Sequence, residues 1–317
     1  MSFYFLVLYE FTCLFPSPDS TCNIPTGTFY NEPHNHLYFG ETMLSLLLYS
    51  SIAHAENPTI QSQINSSDQN VRFEATWEIG SIGVFSHTYK SGSDATDFDF
   101  VEDGGQDNLF PFQRFEVNFL VKNRHNFLLL YQPLNLVTTQ EASSDIQMNN
   151  VTFPAGTPMD YRYGFDFIRG TWNYDIKPSL DKELSFGGGI QMRNATIDFT
   201  SADGTIRNSN RNIGPVPVIT SRGHFNLGKQ RWWGFDFAGA FAPIKYINGS
   251  NSDVVGALVD TSLRTGIRLK NGVNTFINLR YISGGSEGTN SNPDEGKDGF
   301  SENWVHFGAV SVGFWLR

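Results

Sequence analysis

The chain has 317 residues, with 22 lysines and arginines against 32 aspartates and glutamates, so its formal net charge is −10. An acidic chain has no general affinity for phosphate backbones, which argues against nucleic-acid binding. Charged residues make up only 17% of the chain, and 28 Phe, 12 Tyr and 6 Trp are many. This composition favours an all-β protein. The lack of any run of ~18 apolar residues excludes a helical membrane protein, but it does not exclude a membrane β-barrel.

The first 55 residues differ from the rest of the chain and indicate export. The short apolar run 43–52 is followed by Ala53-His54-Ala55, the small-x-small pattern of a signal cleavage site. No basic residue precedes this run, so we expect the true start to differ from Met1 or the leader to be truncated. The alternative is a disordered tail with a buried helix. The expected organisation is a leader in 1–55, a short periplasmic segment in 56–70 and one β-barrel in 71–317.

The sequence gives no support to a metal or cofactor site. Cys13 and Cys22 both precede the expected cleavage site, so the mature chain would have no cysteine for a disulfide, a thiol nucleophile or a metal. None of the glycine clusters precedes a helix, as a phosphate-binding loop would require. The acidic loops lack the spacing of a calcium-binding loop. We therefore expect no cofactor and no metal.

From residue 71 onward the dominant pattern is alternation of apolar and polar residues, which is typical of β-strands. Phe115, Val117 and Phe119, for example, alternate with polar neighbours. Several of these runs are longer than the usual ~5–6 residues of a globular strand, which favours a barrel over a sandwich. We predict ten strands, at 71–89, 112–122, 125–138, 159–176, 184–200, 213–226, 231–247, 254–269, 273–285 and 303–316. The residues expected to face outward are Phe115, Val117, Phe119, Tyr163, Phe165, Phe235, Phe237, Leu263, Ile267, Ile277 and Leu279.

The predicted connections alternate between short turns and longer polar loops. Lys122–His125 and Leu227–Gln230 are tight, whereas Gly92–Gln106 and Gly284–Phe300 are long and rich in Asp, Gly, Asn and Ser. An even number of antiparallel strands with short turns at one rim is the topology of bacterial outer-membrane barrels. The sequence therefore predicts a transmembrane antiparallel up-and-down β-barrel of about ten strands, located in the bacterial outer membrane.

The last predicted strand carries a family resemblance. Val310-Ser311-Val312-Gly313-Phe314-Trp315-Leu316 resembles the terminal strand of Gram-negative outer-membrane β-barrels, with Leu316 where Phe is usual. The stretches 127–134, 191–195 and 212–218 are similar to an uncharacterised proteobacterial group of such barrels. The resemblance implies insertion by the barrel-assembly machinery and contact with outer-membrane lipid and lipopolysaccharide, and it implies no activity.

The polar faces of the predicted strands place many charges in the lumen. A barrel of ~10 strands is only slightly wider than the eight-stranded size that side chains fill, so these charges are expected to pair across strands. Two interpretations stay open, a salt-bridged plug and a narrow water-filled passage. The expected lumenal charges are Arg72, Glu74, Glu78, Arg114, Glu116, Asp160, Arg162, Asp166, Arg193, Asp236, Asp260, Arg264, Arg268 and Arg280.

Two histidines are weak candidates for a catalytic site at the loop rim. His87 and His306 lie near the loop ends of the first and last strands, which must pair to close a barrel. A histidine beside a carboxylate could activate water there. The chain lacks a dense Asp-Asp and Asp-His signature, so the residues favour a non-enzyme. The expected function is a structural or porin-like outer-membrane barrel with a narrow charged lumen. The alternatives are an outer-membrane hydrolase with a rim site and a periplasmic β-sandwich that binds ligand.

Overall fold

The computed structural model describes residues 71–179, 182–243, 251–269, 273–293 and 297–316, and the predicted leader and periplasmic segment lie outside these ranges. Within these ranges, no helix is long and apolar enough to cross a membrane. The strands are β1 Val71–Ser91, β2 Phe98–Asp99, β3 Leu109–Val121, β4 His125–Gln132, β5 Asn135–Glu141, β6 Ile146–Met148, β7 Val151–Phe153, β8 Pro158–Phe165, β9 Phe167–Asp175, β10 Lys182–Ser201, β11 Arg207–Leu227, β12 Arg231–Pro243, β13 Asp253–Arg268, β14 Val273–Thr289 and β15 Phe300–Leu316.

The strands close into an antiparallel barrel. β4 and β5 are the two halves of one barrel strand, and so are β8 and β9, which meet at Asp166. Each barrel strand pairs with the next along the chain, and β15 returns to β1 from Ala75↔Leu316 to Ser91↔Ser301. The ring therefore has ten barrel strands, which confirms the predicted fold. A sandwich is wrong, because the sheet closes on itself and has no second sheet to cover it.

The outer surface carries an apolar belt. Most residues predicted to face outward do so: Leu263, Ile277 and Leu279 are each more than half exposed. Such a surface requires lipid, because soluble monomers rarely expose large contiguous apolar patches. Tyr163 and Phe165 are exceptions, because both pack against the apolar core inside the barrel.

The two rims differ as the sequence predicts. Between β3 and β4 the chain turns within three residues, where Lys122 and Asn123 both have positive φ, as in the tight hairpin turns that match strand twist. The opposite rim carries the longer segments, and they bond to each other. The backbone N–H of Ser93 donates to the Asp298 carboxylate at 2.6 Å. This bond, with a second from the N–H of Phe300, lowers the pKa of Asp298 below its ordinary value.

Candidate functional site

A network of ion pairs fills the middle of the lumen. Its members come from seven barrel strands, and each points inward because side chains alternate between the two faces of a strand. The members are five arginines and four carboxylates, namely Arg114, Arg169, Arg222, Arg264, Arg280, Glu78, Glu116, Asp236 and Asp260. We call this set the lumenal ion-pair network.

Asp260 of β13 is the centre of the network. Arg114 of β3 and Arg169 of β9 donate to its Oδ2 at 3.2 and 3.0 Å, and Arg280 of β14 donates to its Oδ1 at 2.6 Å. Each of the four side chains is at most 4% exposed. Three guanidiniums on one carboxylate compensate the cost of burying its charge, and they tie four parts of the wall together.

Glu78 of β1 holds the network to the closing seam of the barrel. It is fully buried, and Arg280 lies 3.4 Å from its Oε1. Its Oε2 accepts hydrogen bonds from Asn278 of β14 at 2.8 Å and from Ser311 of β15 at 2.9 Å. The carboxylate therefore has partners for both oxygens across the β14–β15–β1 region.

The remaining members form a chain of alternating charge. The Nε of Arg114 donates to Glu116 at 2.8 Å, and Arg222 lies 3.9 Å from the other oxygen of Glu116. Arg222 also lies 3.4 Å from Asp236, which in turn pairs with Arg264. Beside this chain lies a cavity with about 360 Å³ of open space, its mouth included, and Arg222 and Asp236 are among the residues that line it.

An aromatic cluster lies below the network, near the short-turn rim. Trp232, Phe276 and Trp315 all point inward and are at most 8% exposed. The ring centroid of Trp232 lies 5.6 Å from each of the other two, in edge-to-face geometry. The ring of His224 packs on Trp232 at 4.8 Å. These large rings occupy the lumen at this level.

An apolar core lies above the network, toward the loop rim. Phe98 and Phe100 come from the segment between β1 and β3, and they pack inside the barrel on Tyr161 and Phe199. All four are at most 2% exposed. The small β6–β7 hairpin adds Ile146, Met148 and Phe153 to the same core. The upper part of the barrel is therefore packed like the interior of a soluble protein.

Most of the predicted lumenal charges lie on the inner face. Seven of them belong to the lumenal ion-pair network, and Glu74 is buried beside it. Arg193 donates to Ser286 at 2.8 Å, and Arg268 lies 3.4 Å from Asn226 near the short turns. Arg72 is two residues from Glu74 and shares its inward face.

Asp160, Arg162 and Asp166 are corrections to the sequence analysis. Asp160 and Arg162 lie exposed on the outer face of β8, where they bond to Thr139 and Asn135 of β5. Asp166 lies at the junction of β8 and β9 and is half-buried. The odd-numbered residues of this barrel strand face inward instead, which also explains Tyr163 and Phe165. If the inward face of a strand is assigned wrongly, every side chain of that strand is placed on the wrong side of the sheet.

The same inversion explains why the sequence analysis missed Arg169. Arg169 shares the face of Tyr163 and Phe165, for which the sequence predicts an outward position. Its outward neighbours Ile168 and Trp172 are 48% and 45% exposed, and they were the signal for the correct face. Arg222 was missed for another reason, because the alternation around it is weakened by serine and glycine neighbours.

The two candidate histidines do not converge. His87 is fully buried and points into the barrel, where its ring nitrogens lie 2.7 Å from Gln106 Oε1 and 3.2 Å from Asn303 Oδ1. His306 is on the outer face of β15, where it bonds to the Tyr281 hydroxyl at 2.9 Å. Among the described residues, no three acidic, histidine or cysteine side chains are grouped as metal ligands would be.

These observations define the class. A closed, even-numbered antiparallel barrel with an apolar outer belt, a charged lumen and short turns at one rim is a transmembrane β-barrel of the bacterial outer membrane. No protein-family model and no curated protein matches the chain.

Several solved structures share the barrel architecture at low identity. The outer-membrane protease OmpT from Escherichia coli is 10% identical with a TM-score of 0.43, over 77% of this chain and 96% of that chain. Ail, the attachment invasion locus protein of Yersinia pestis, is 9% identical with a TM-score of 0.33, over 77% and 99%. The Pseudomonas putida toluene transporter TodX is 7% identical with a TM-score of 0.32, over 79% and 91%.

Proposed function

We propose that this protein is an outer-membrane barrel with a lumen sealed along its axis, and that it is not a porin with an open bore. The observation that carries the proposal is the centre of the lumen, where Asp260 is bound by Arg114, Arg169 and Arg280 from three other barrel strands. A solute or a hydrated ion passing at this level would have to separate buried ion pairs, which costs several kcal/mol.

The layers above and below the network support the same conclusion. Trp232 and its partners occupy the lumen below it, and Phe98 and Phe100 occupy the lumen above it. Three barriers of different chemistry therefore stand in series along the axis. A general pore would instead need a continuous polar lining.

The test is conductance of the refolded barrel in planar bilayers. We expect the unmutated protein to show no stable open level. Arg169→Ala should add brief openings, because it removes one wall of the central barrier. Arg162→Ala is the matched control, since Arg162 lies on the outer face of the same barrel strand. A large and steady conductance in the unmutated protein would overturn the proposal in favour of a pore.

The porin-like alternative is supported by one observation, the cavity beside Thr220, Arg222 and Asp236. If water fills that cavity and extends through the network, small ions would pass slowly, and the current would depend on Arg222. The hydrolase alternative has less support, because His87 and His306 lie on opposite faces of the wall and the ring nitrogens of His87 contact amides.

We further propose the partners that the sequence analysis implies, namely the barrel-assembly machinery, outer-membrane lipid and lipopolysaccharide. The outward alternation of Val310, Val312, Phe314 and Leu316 on the closing strand supports these partners. Kinship with the uncharacterised proteobacterial barrels and the presence of a cleaved signal are parts of the same proposal. Mass spectrometry of the N-terminus of the mature protein tests the signal.

A further inference from the structure

The barrel wall has an opening in its hydrogen-bond ladder between β11 and β12. The described pairing runs from Leu227↔Arg231 up to Ile219↔Gly239 and stops there. β12 continues to Pro243 and stays paired with β13, and β11 stays paired with β10 along its upper part. The gap is therefore confined to one side of each strand. We call it the β11–β12 seam.

Three prolines explain the seam. If the register continued, Pro217 would oppose Phe241 and Pro215 would oppose Pro243. Residues two apart in a strand direct their N–H groups to the same neighbouring strand. Pro215 and Pro217 both keep their pairing with β10, the strand on the other side of β11 from β12. The missing N–H groups are therefore those that would face β12. Of the four hydrogen bonds that two such pairs exchange, only that from the Phe241 N–H to the Pro217 carbonyl has a donor.

The seam lies in the apolar belt on its outer side. Ile219 and Phe241, which flank it, are 67% and 72% exposed and face outward. Pro215 and Pro217 are also exposed on this face, and Ile190, the β10 partner of Pro217, is 56% exposed. The surface around the seam is thus suited to acyl chains and unsuited to water.

A mainly apolar cavity lies on the inner side. Its open space is about 700 Å³ when the mouth is included. Val216 and Ala242, which would oppose each other across the seam, both line it. The other apolar walls include Leu134, Phe165, Phe167 and Leu258.

One charged group faces this cavity without a matching charge. Arg193 of β10 lines the cavity and donates to the Ser286 hydroxyl at 2.8 Å. Among the described residues, no carboxylate lies within ion-pair distance of its guanidinium, whereas each arginine of the lumenal ion-pair network has one. A guanidinium in a mostly apolar pocket favours a ligand that brings its own anion.

We propose that this cavity binds an amphiphile with one apolar chain and an anionic head, which reaches it sideways through the β11–β12 seam. The chain lies against the apolar walls, and the head pairs with Arg193. A free fatty acid and an anionic lipid share this chemistry. The axial barriers do not oppose this route, because it crosses the wall and not the length of the lumen.

The head-group test uses the barrel in nanodiscs of neutral phospholipid, titrated with dodecanoate and with dodecanol well above the carboxylate pKa. Dodecanoate should bind about tenfold more tightly or better, since a hydrogen bond to a charged group is worth that much. Arg193→Gln should bring the two affinities to within about twofold. Arg211→Gln, an exposed arginine on the outer face of β11, is the control and should keep the preference. Equal binding of both probes to the unmutated protein, or binding of neither, overturns the site.

Native mass spectrometry of the purified protein separates the two sources of ligand. A phospholipid or lipid A adduct that Arg193→Gln loses identifies a membrane lipid, and a fatty-acid adduct identifies the free acid. Both outcomes support the site. An adduct that persists unchanged in Arg193→Gln contradicts the assignment of the head group.

The route is tested by restoring the donors. Pro215→Thr with Pro217→Val should close the seam and slow transfer of a dansyl-labelled fatty acid from vesicles by about tenfold or more, in stopped-flow fluorescence. Pro111→Val, in the intact β1–β3 ladder, is the matched control. Val216→Phe narrows the inner mouth without a change in backbone donors, and it should have the same effect if the proline variant fails to fold. Unchanged transfer rates in a folded seam variant overturn the lateral route.

Discussion

At the scale of single residues, the main feature is the unequal number of partners around Asp260. One carboxylate is bound by three guanidiniums, so its loss affects more charges than the loss of any one arginine. Each guanidinium also has other acceptors: Glu116 and Gln132 for Arg114, Gln191 for Arg169 and Glu78 for Arg280. Removing one arginine therefore leaves Asp260 with two charged partners. Removing Asp260 takes a carboxylate from all three arginines and, among the described residues, leaves Arg169 with only the Gln191 amide as a partner.

We predict that Asp260→Asn lowers the free energy of unfolding by about 3–5 kcal/mol, the cost of leaving a buried charge without its partner. The measurement is urea unfolding of the refolded barrel in lipid vesicles, followed by tryptophan fluorescence. Asp253→Asn is the control, because Asp253 is exposed at the loop end of the same strand, and it should change stability by less than about 0.5 kcal/mol. A small loss in Asp260→Asn would indicate that water screens the network.

At the scale of elements, the β8–β9 barrel strand keeps one inward face along its whole length, but that face meets two different environments. Its odd-numbered residues point inward along the whole length. In the lower part the inner face meets the charges of the lumen, and Arg169 lies there. In the upper part it meets the apolar core, so Tyr161 and Tyr163 are inside and Arg162 is exposed on the outer face. The polarity of the two faces is exchanged where the barrel rises above the lipid.

The β14–β15 hairpin shows how neighbouring strands hold the lower aromatic cluster in place. Gly313 pairs directly with Phe276, and a Cβ at Gly313 would overlap the Phe276 ring. We predict that Gly313→Ala displaces this ring from Trp232 and destabilises the barrel by about 1–3 kcal/mol, as overpacking does.

The measurement is again urea unfolding in vesicles, with near-UV circular dichroism to report the packing of the tryptophans. Gly170→Ala on β9 is the matched control, since its Cβ would make an ordinary contact with Leu129. Equal effects of the two substitutions would contradict the role of Gly313 and indicate that these strands tolerate alanine in place of glycine equally at both positions.

At the scale of the whole molecule, the orientation in the membrane follows from the rims. With an even number of barrel strands, the described first and last strands begin and end at the short-turn rim. That rim faces the periplasm in bacterial barrels, and the longer segments face outward. The apolar core, the lumenal ion-pair network and the aromatic cluster then follow one another from the outside to the periplasm.

We predict that a protease of broad specificity, added to intact cells, cuts between Asn290 and Pro293 and spares Lys177–Ser179. Both segments contain exposed residues, so only the membrane makes them different. The measurement is mass spectrometry of the fragments, and lysed cells are the control in which both sites should be cut. Cleavage of the short turn alone in intact cells would reverse the orientation.

The sequence by itself determined the class of fold, the number of barrel strands and most of their outer faces. It could do so because alternation with a period of two is a local property, legible in each strand without its neighbours. Leu263, Ile277 and Leu279 could be placed in this way. The charged inner faces of β1, β3, β13 and β14 followed from the same rule.

Only the tertiary structure decided what each face meets. Alternation separates two faces, but it does not say which one is inside where the barrel leaves the lipid, so Tyr163 and Arg162 were exchanged. Two of the three arginines around Asp260, Arg114 and Arg169, come from strands far from it in sequence, and no spacing encodes their convergence. The seam could not be predicted for the same reason. Pro215, Pro217 and Pro243 are visible in the sequence, but only the register of β11 against β12 shows that the hydrogen-bond donors they lack lie opposite one another.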